Sequence, residues 1–178
     1  MEVELLCSWS YALIGLVGGL ISTTAMTLTE IPSWIRWGLH GVFEWHENQI
    51  LSNRLLRHFS NYSCRKEKKT TIHFKGIFLL HFLNGTLAGI AYPFLFYSVV
   101  YLRISDFEPT YMIGILYGIV LWLLTLVPIH KPITGFSPWN HPLGRLPALA
   151  SLGGHVVYGI VLGLFVETLS PDRVLYKL

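Results

Sequence analysis

Two histidines in this chain stand in the same frame. His81 is followed at four and eight residues by Gly85 and Gly89, and His155 by Gly159 and Gly163. Both lie in long uncharged stretches, where an imidazole is expensive and marks a functional site by default. A pair of neutral imidazoles suits a metal ion or the axial positions of a haem held between two helices. The competing reading is packing: each ring hydrogen-bonds a neighbouring helix, and the glycines let backbones approach. A proton path is a third reading.

Further donors surround this pair. His40 and Glu44 are four residues apart, which on a continuous helix places two metal ligands, or a simple local pair, on one face. His46 falls on another face, so a compact His40–Glu44–His46 site is not expected. Thr23, Thr27 and Glu30 form a polar stripe at the end of the first span. Glu30 can accept a hydrogen bond from a ligating histidine, or lie at the membrane surface. Asn84 and Tyr158, each three residues after its histidine, can donate to the same place. The cysteines offer nothing comparable: Cys7 and Cys64 are expected a membrane apart, too far for a disulfide.

The elements that must position these residues are membrane spans. The chain is 52% hydrophobic and 13% charged, with a mean hydropathy of +0.50, whereas soluble domains carry about 25% charge. Four charge-free intervals, Leu5–Thr29, Gly76–Leu102, Pro109–His130 and Leu146–Val166, are each long enough for a helix across a hydrocarbon core of about 30 Å. They are too long, and not alternating, for the strands of a small barrel. We expect an all-α membrane protein: a four-helix bundle with spans near 8–29, 76–102, 109–129 and 147–167. The acidic start Met1–Glu4 is not the basic opening of a cleavable signal, and none is expected.

Charge sets the expected orientation. Arg36, Arg54, Arg57, Arg65, Lys66, Lys68, Lys69, Lys75, Lys131 and Arg145 lie on the side of the long loops, against Arg103, Arg173 and Lys177 on the other. The positive-inside rule puts the loops in the cytoplasm and both termini outside. All eight histidines then fall on or near the cytoplasmic side. Spans two and four run in the same direction. His81 is six residues past Lys75 and His155 ten past Arg145, or about 9 and 15 Å along their helices, so the two rings share a depth.

The chain reads as two tandem helical hairpins. Gly15 and Gly19 in span one, and Gly114 and Gly118 in span three, repeat the spacing of the glycines after the histidines, which suggests an internal repeat and close packing. Pro93 should kink span two. Between spans one and two, residues 33–59 are expected to form an amphipathic helix on the inner membrane face or folded under the bundle. Ser33 would be its cap, Arg36, His40, Glu44 and Asn48 a polar stripe, and Leu39, Val42, Phe43, Ile50 and Leu55 the apolar side. The run Arg65–Lys69 reads as a solvated basic turn, and Pro128–Pro147 as an irregular loop.

The glycine-rich first span ending in Thr23–Thr27 (Thr-Thr-Ala-Met-Thr), with Gly154–Gly163 (Gly-His-Val-Val-Tyr-Gly-x-x-x-Gly) in the last, resembles the YagU-like and related small four-helix families of bacteria and archaea. The resemblance implies a four-span topology and brings no reaction. Protease, nucleotide-binding, hydrolase and oxygenase motifs are absent, and no span carries Asp, Lys or Arg. The expected role is therefore that of a non-catalytic subunit packing with other membrane proteins or with itself in the cell membrane, with no nucleic-acid partner. The alternatives are a haem- or metal-binding redox protein using His81 and His155, and a small oligomeric channel or carrier.

Overall fold

The structure is a computed structural model, and it describes residues 2–59, 72–101 and 110–169. Five helices carry the fold: α1 (Glu2–Trp37), α2 (Phe43–Phe59), α3 (Phe74–Tyr101), α4 (Thr110–Thr134) and α5 (Leu146–Leu169). Among the described residues there is no strand. Four helices are long and apolar enough to cross a membrane, over Trp9–Gly41, Phe74–Leu95, Tyr111–Thr134 and Leu146–Leu169. They are packed as a bundle whose outer face is apolar, with Leu13, Leu79, Leu116 and Leu149 all exposed. With no bulk water in a hydrocarbon core, the helix is the economical way to satisfy such backbones. The basic turn at residues 65–69, Cys64 and the connection at residues 103–108 lie outside the described residues.

Glycine brings the helices together in pairs. A Cβ on Gly15 would stand 2.5 Å from the Gly89 carbonyl oxygen, and one on Gly19 2.9 Å from that of Gly85, so α1 and α3 touch backbone to backbone. A Cβ on Gly159 would stand 2.7 Å from the Gly114 carbonyl carbon, and one on Gly118 2.9 Å from that of His155, so α4 and α5 do the same. One on Gly114 would meet the Gly163 Cα at 3.2 Å, which puts that glycine in the same seam. Helix α1 also packs along α5, where Gly18 lies against Leu162 and Phe165. Helices α3 and α4 barely approach each other. The Tyr117 hydroxyl, donating to Ala88 O at 2.6 Å, and the Tyr92–Tyr117 rings, 5.0 Å apart, link them.

The segment expected to be one helix over residues 33–59 is divided. Helix α1 runs on through Pro32 to Trp37, with Ser33 buried inside it rather than capping a new helix. The chain then makes a 3-10 turn over Gly38–Gly41, and α2 begins at Phe43. Gly38 has φ +66°, a left-handed conformation that ends helices and is open to glycine without strain. Helix α2 is folded under the bundle. Phe43 packs with Trp122, Leu126 and Ala148 of α4 and α5, while Trp45 packs with Val42 and Ile77 on the α1–α3 side. Helix α4 is also longer than its charge-free interval, continuing through Pro128 and Pro132 to Thr134. His130, placed by sequence at the start of a loop, is consequently a fully buried helical residue.

Candidate functional site: an acid and imidazole chamber

Where α3 and α4 part, the bundle holds a cavity of about 120 Å³. Each helix contributes one wall. Thr23 and Met26 come from α1, Glu44, Glu47 and Asn48 from α2, His81, Asn84 and Gly85 from α3, Leu121 and Thr125 from α4, and His155 and Tyr158 from α5. Glu44, Glu47 and Asn48 are spaced i, i+3, i+4 and so share one face of α2. That face is turned into the bundle, while Leu55 of the same helix is exposed. The expected polar stripe therefore points inward over Glu44 and Asn48. Far from α2, the chamber ends at an apolar cluster of Tyr92, Leu162 and Val166 with Tyr117 against it. On the side between α3 and α4 it is not closed: Asn84 lines it and is exposed.

His81 and His155 both reach this chamber, but they are held in opposite ways. The Thr27 hydroxyl gives its one proton to Thr23 O at 2.7 Å. It can therefore only accept from His81 Nε2, 3.1 Å away, so His81 carries its proton on Nε2. Glu30 Oε2 stands 3.7 Å from the same nitrogen. His155 faces a backbone carbonyl instead: Nδ1 donates to Ser151 O at 3.0 Å, with Glu44 Oε1 at 3.5 Å. In the neutral ring this puts the proton on Nδ1 and the lone pair on Nε2.

Three carboxylates meet here. Glu30 is buried in α1, where Trp45 Nε1 donates to its Oε2 at 2.7 Å and its Oε1 has no partner. Glu44 interacts directly with Glu30 across the helix interface, and its Oε1 accepts from the Ser151 hydroxyl. Glu47 Oε1 lies 2.7 Å from His130 Nδ1. Burial pushes the Glu47 carboxyl above the usual range, opposed by the bond to His130 and reinforced by Glu44. Among the described residues, all ion pairs of these three carboxylates are with imidazoles.

A second cluster of rings adjoins the chamber around Phe43. His40 and His46 stand 4.4 Å apart between ring centres, His46 and His130 6.5 Å, and His130 and His141 6.2 Å. His46 Nδ1, His130 Nε2 and His141 Nε2 are buried without partners. Burial and the neighbouring imidazoles push His46 down to about 4, so it is neutral at pH 7. Burial also lowers His141. The Leu143 amide donates to His141 Nδ1 at 3.3 Å, which leaves that ring's proton on Nε2.

Of the residues singled out by sequence, His81, His155, Glu30, Glu44, Thr23, Thr27, Asn84 and Tyr158 are brought together in or against the chamber. His40 is not with Glu44. The turn at Gly38–Gly41 separates the two, so the expected single helical face does not exist: His40 is exposed beside His46, and Glu44 faces inward. Glu47, His130, Ser151 and Trp45 were missed. Only the i, i+3 spacing of Glu44 and Glu47 hinted at any of them. Among the described residues, no three His, Cys, Asp or Glu side chains converge on one point as a metal ion requires.

No known protein family matches the chain, and no curated protein or solved structure does.

Proposed function

We propose that this is a multi-pass membrane protein that binds a small cation in the chamber between Glu44, Glu47 and His155. The observation that carries the reading is the inward-turned polar face of α2, which sets two carboxylates beside a third, Glu30, with no Lys or Arg pairing among the described residues. Carboxylates buried side by side disfavour carrying negative charge together. One hydrogen bond to a charged group, such as that from Trp45, returns only about 1.5–3 kcal/mol. A proton taken up by the pair or a bound cation can supply the missing positive charge, and the free volume beside Glu44 and Glu47 gives a cation its place. A cavity of about 120 Å³ has room for several water-sized groups, which suits a small polar ligand.

This reading is more specific than a purely structural subunit, which has no use for a carboxylate cluster in its core. It also accounts for the chamber better than haem does. A macrocycle between two helices needs an equivalent free nitrogen on each ring and an apolar slot. Here Nε2 is the engaged nitrogen of His81, Nδ1 that of His155, and the walls are carboxylates and amides. The positive-inside rule puts the α2 end, and the chamber floor with it, toward the cytoplasm.

The test is titration calorimetry of the detergent-solubilised protein with methylammonium and, separately, with Mn²⁺. Saturable binding of either that weakens at least tenfold in Glu44→Gln supports the reading. Binding of neither, or equal binding by Glu44→Gln, refutes it.

A further inference from the structure

The way into the chamber narrows the ligand class. Helices α3 and α4 are linked by the Tyr117–Ala88 hydrogen bond and the Tyr92–Tyr117 contact and otherwise make little contact, with the chamber between them. Asn84, at the opening, is exposed and still lines the cavity. It lies ten residues into the span that starts at Phe74, about 15 Å along the helix and so near mid-bilayer. The opening therefore faces hydrocarbon. Leu87 and Leu124, next in sequence to the lining residues Ala88 and Thr125, are exposed beside it. An acidic, hydrogen-bonding interior behind an apolar doorway fits a molecule with a cationic head and an alkyl tail.

We infer that the ligand is a cationic amphiphile with a primary ammonium head, which enters sideways from the bilayer between α3 and α4. The inference rests on the cation-binding reading and adds the ligand's class and route. A primary ammonium has three N–H donors and no acceptor. The chamber presents matching acceptors in Glu44, Glu47, the Nε2 lone pair of His155 and the Asn84 amide oxygen. A bare metal ion, which draws three side chains to one point, is served less well; an ammonium reaches acceptors through N–H bonds at about 2.9 Å and tolerates a wider ring of them. An anionic or phosphate-bearing head would be repelled by the carboxylates. The tail stays in the cleft between α3 and α4, where it leaves no apolar surface in the acidic cavity.

The test is photolabelling of the full chain in phosphatidylcholine vesicles with a dodecylamine bearing a diazirine in its tail, with the labelled residues mapped by mass spectrometry. Labelling should concentrate on α3 and α4 around Leu87 and Leu124. It should fall at least fivefold with excess methylammonium, and likewise in Glu44→Gln. Leu87→Trp, which adds bulk at an exposed position outside the cavity lining, should also abolish it while leaving methylammonium binding intact. Label spread evenly over all outward faces, label at the cleft that methylammonium does not displace, or cross-links joining two copies of the chain at the cleft would each overturn the inference. If methylammonium binds in a Glu44-dependent way but the tail does not label the cleft, this inference fails and the cation site stands. If no cation binds at all, both fall.

Discussion

The two copies of the His-x-x-x-Gly-x-x-x-Gly pattern do different work. In the first, on α3, His81 turns its Nε2 proton to Thr27, and Gly85 packs against the Thr23 side chain. In the second, on α5, His155 fixes its proton on a backbone carbonyl, keeps Nε2 free, and Gly159 packs against the backbone of α4. An identical spacing thus yields an anchor in one hairpin and a ring with its acceptor nitrogen unengaged in the other. The difference comes from what faces each ring: a threonine hydroxyl of α1 for His81, and the Ser151 carbonyl of its own helix for His155.

The glycines allow the sharpest separation. Gly159→Ala puts a methyl group into immovable backbone, with the Gly114 carbonyl carbon at 2.7 Å, and should destabilise by about 3 kcal/mol, the upper end for overpacking. Gly85→Ala meets a side chain, with Thr23 Cβ at 3.1 Å. Thr23 Oγ1 is the atom nearest the added methyl, and turning it away gives up its bond to Gly19 O at 2.7 Å, so the loss should be about 2 kcal/mol. Unfolding in graded denaturing detergent measures both, and equal losses would erase the distinction.

His81→Ala should lower stability by about 2 kcal/mol, since it leaves Thr27 and Glu30 without their imidazole, while changing methylammonium affinity less than threefold. His155→Ala should do the reverse, weakening affinity about tenfold, or about 1.4 kcal/mol, with a smaller loss of stability. Calorimetry together with unfolding gives the two-by-two comparison. The same affinity loss from both substitutions would mean that the rings are equivalent after all.

Acid should act on the ligand-facing half. Glu47 is held above its usual value of 4.5 by burial, with His130 of α4 and Glu44 of α2 facing it. A group with a raised pKa takes up its proton first as pH falls. An ammonium ligand keeps its charge throughout this range, so affinity should decline as pH drops from 8 toward 5, and should decline less in Glu47→Gln. Affinity that rises with acidification has the wrong sign for carboxylate recognition.

The smallest expected effect is that of Tyr158→Phe, which removes the hydroxyl donating to Gly85 O at 2.6 Å across the hairpins. Interhelical hydrogen bonds within membranes average about 0.6 kcal/mol, and thermal shift of the purified protein should register a loss of that order.

Much of the bundle was legible from local pattern. Span length and the absence of charge located the four helices, and glycine spacing located their seams. His81, His155, Glu30 and Glu44 were visible as polar groups in apolar surroundings. Their grouping was not, because it depends on α2. Residues 33–59 have the periodicity of one amphipathic helix, and nothing local shows that Gly38 breaks it and turns Glu44, Glu47 and Asn48 inward. The Glu47–His130 contact joins residues 83 positions apart, through a helix whose last turns pass two prolines that read as a loop. Proline in a chain is normally a stop. Here α4 is packed against α2 over those turns, and tertiary contact overrides the local signal.

The central claim is that the chamber binds a cation through the carboxylates that α2 turns inward. Titration of methylammonium and of Mn²⁺ into wild-type protein and Glu44→Gln, side by side in the same detergent at pH 7.5, tests it most directly. The account predicts saturable binding of at least one cation to the wild type, weakened tenfold or more by removal of the single charge at Glu44. Unchanged binding in Glu44→Gln, or no heat from either cation with the wild type, would contradict it.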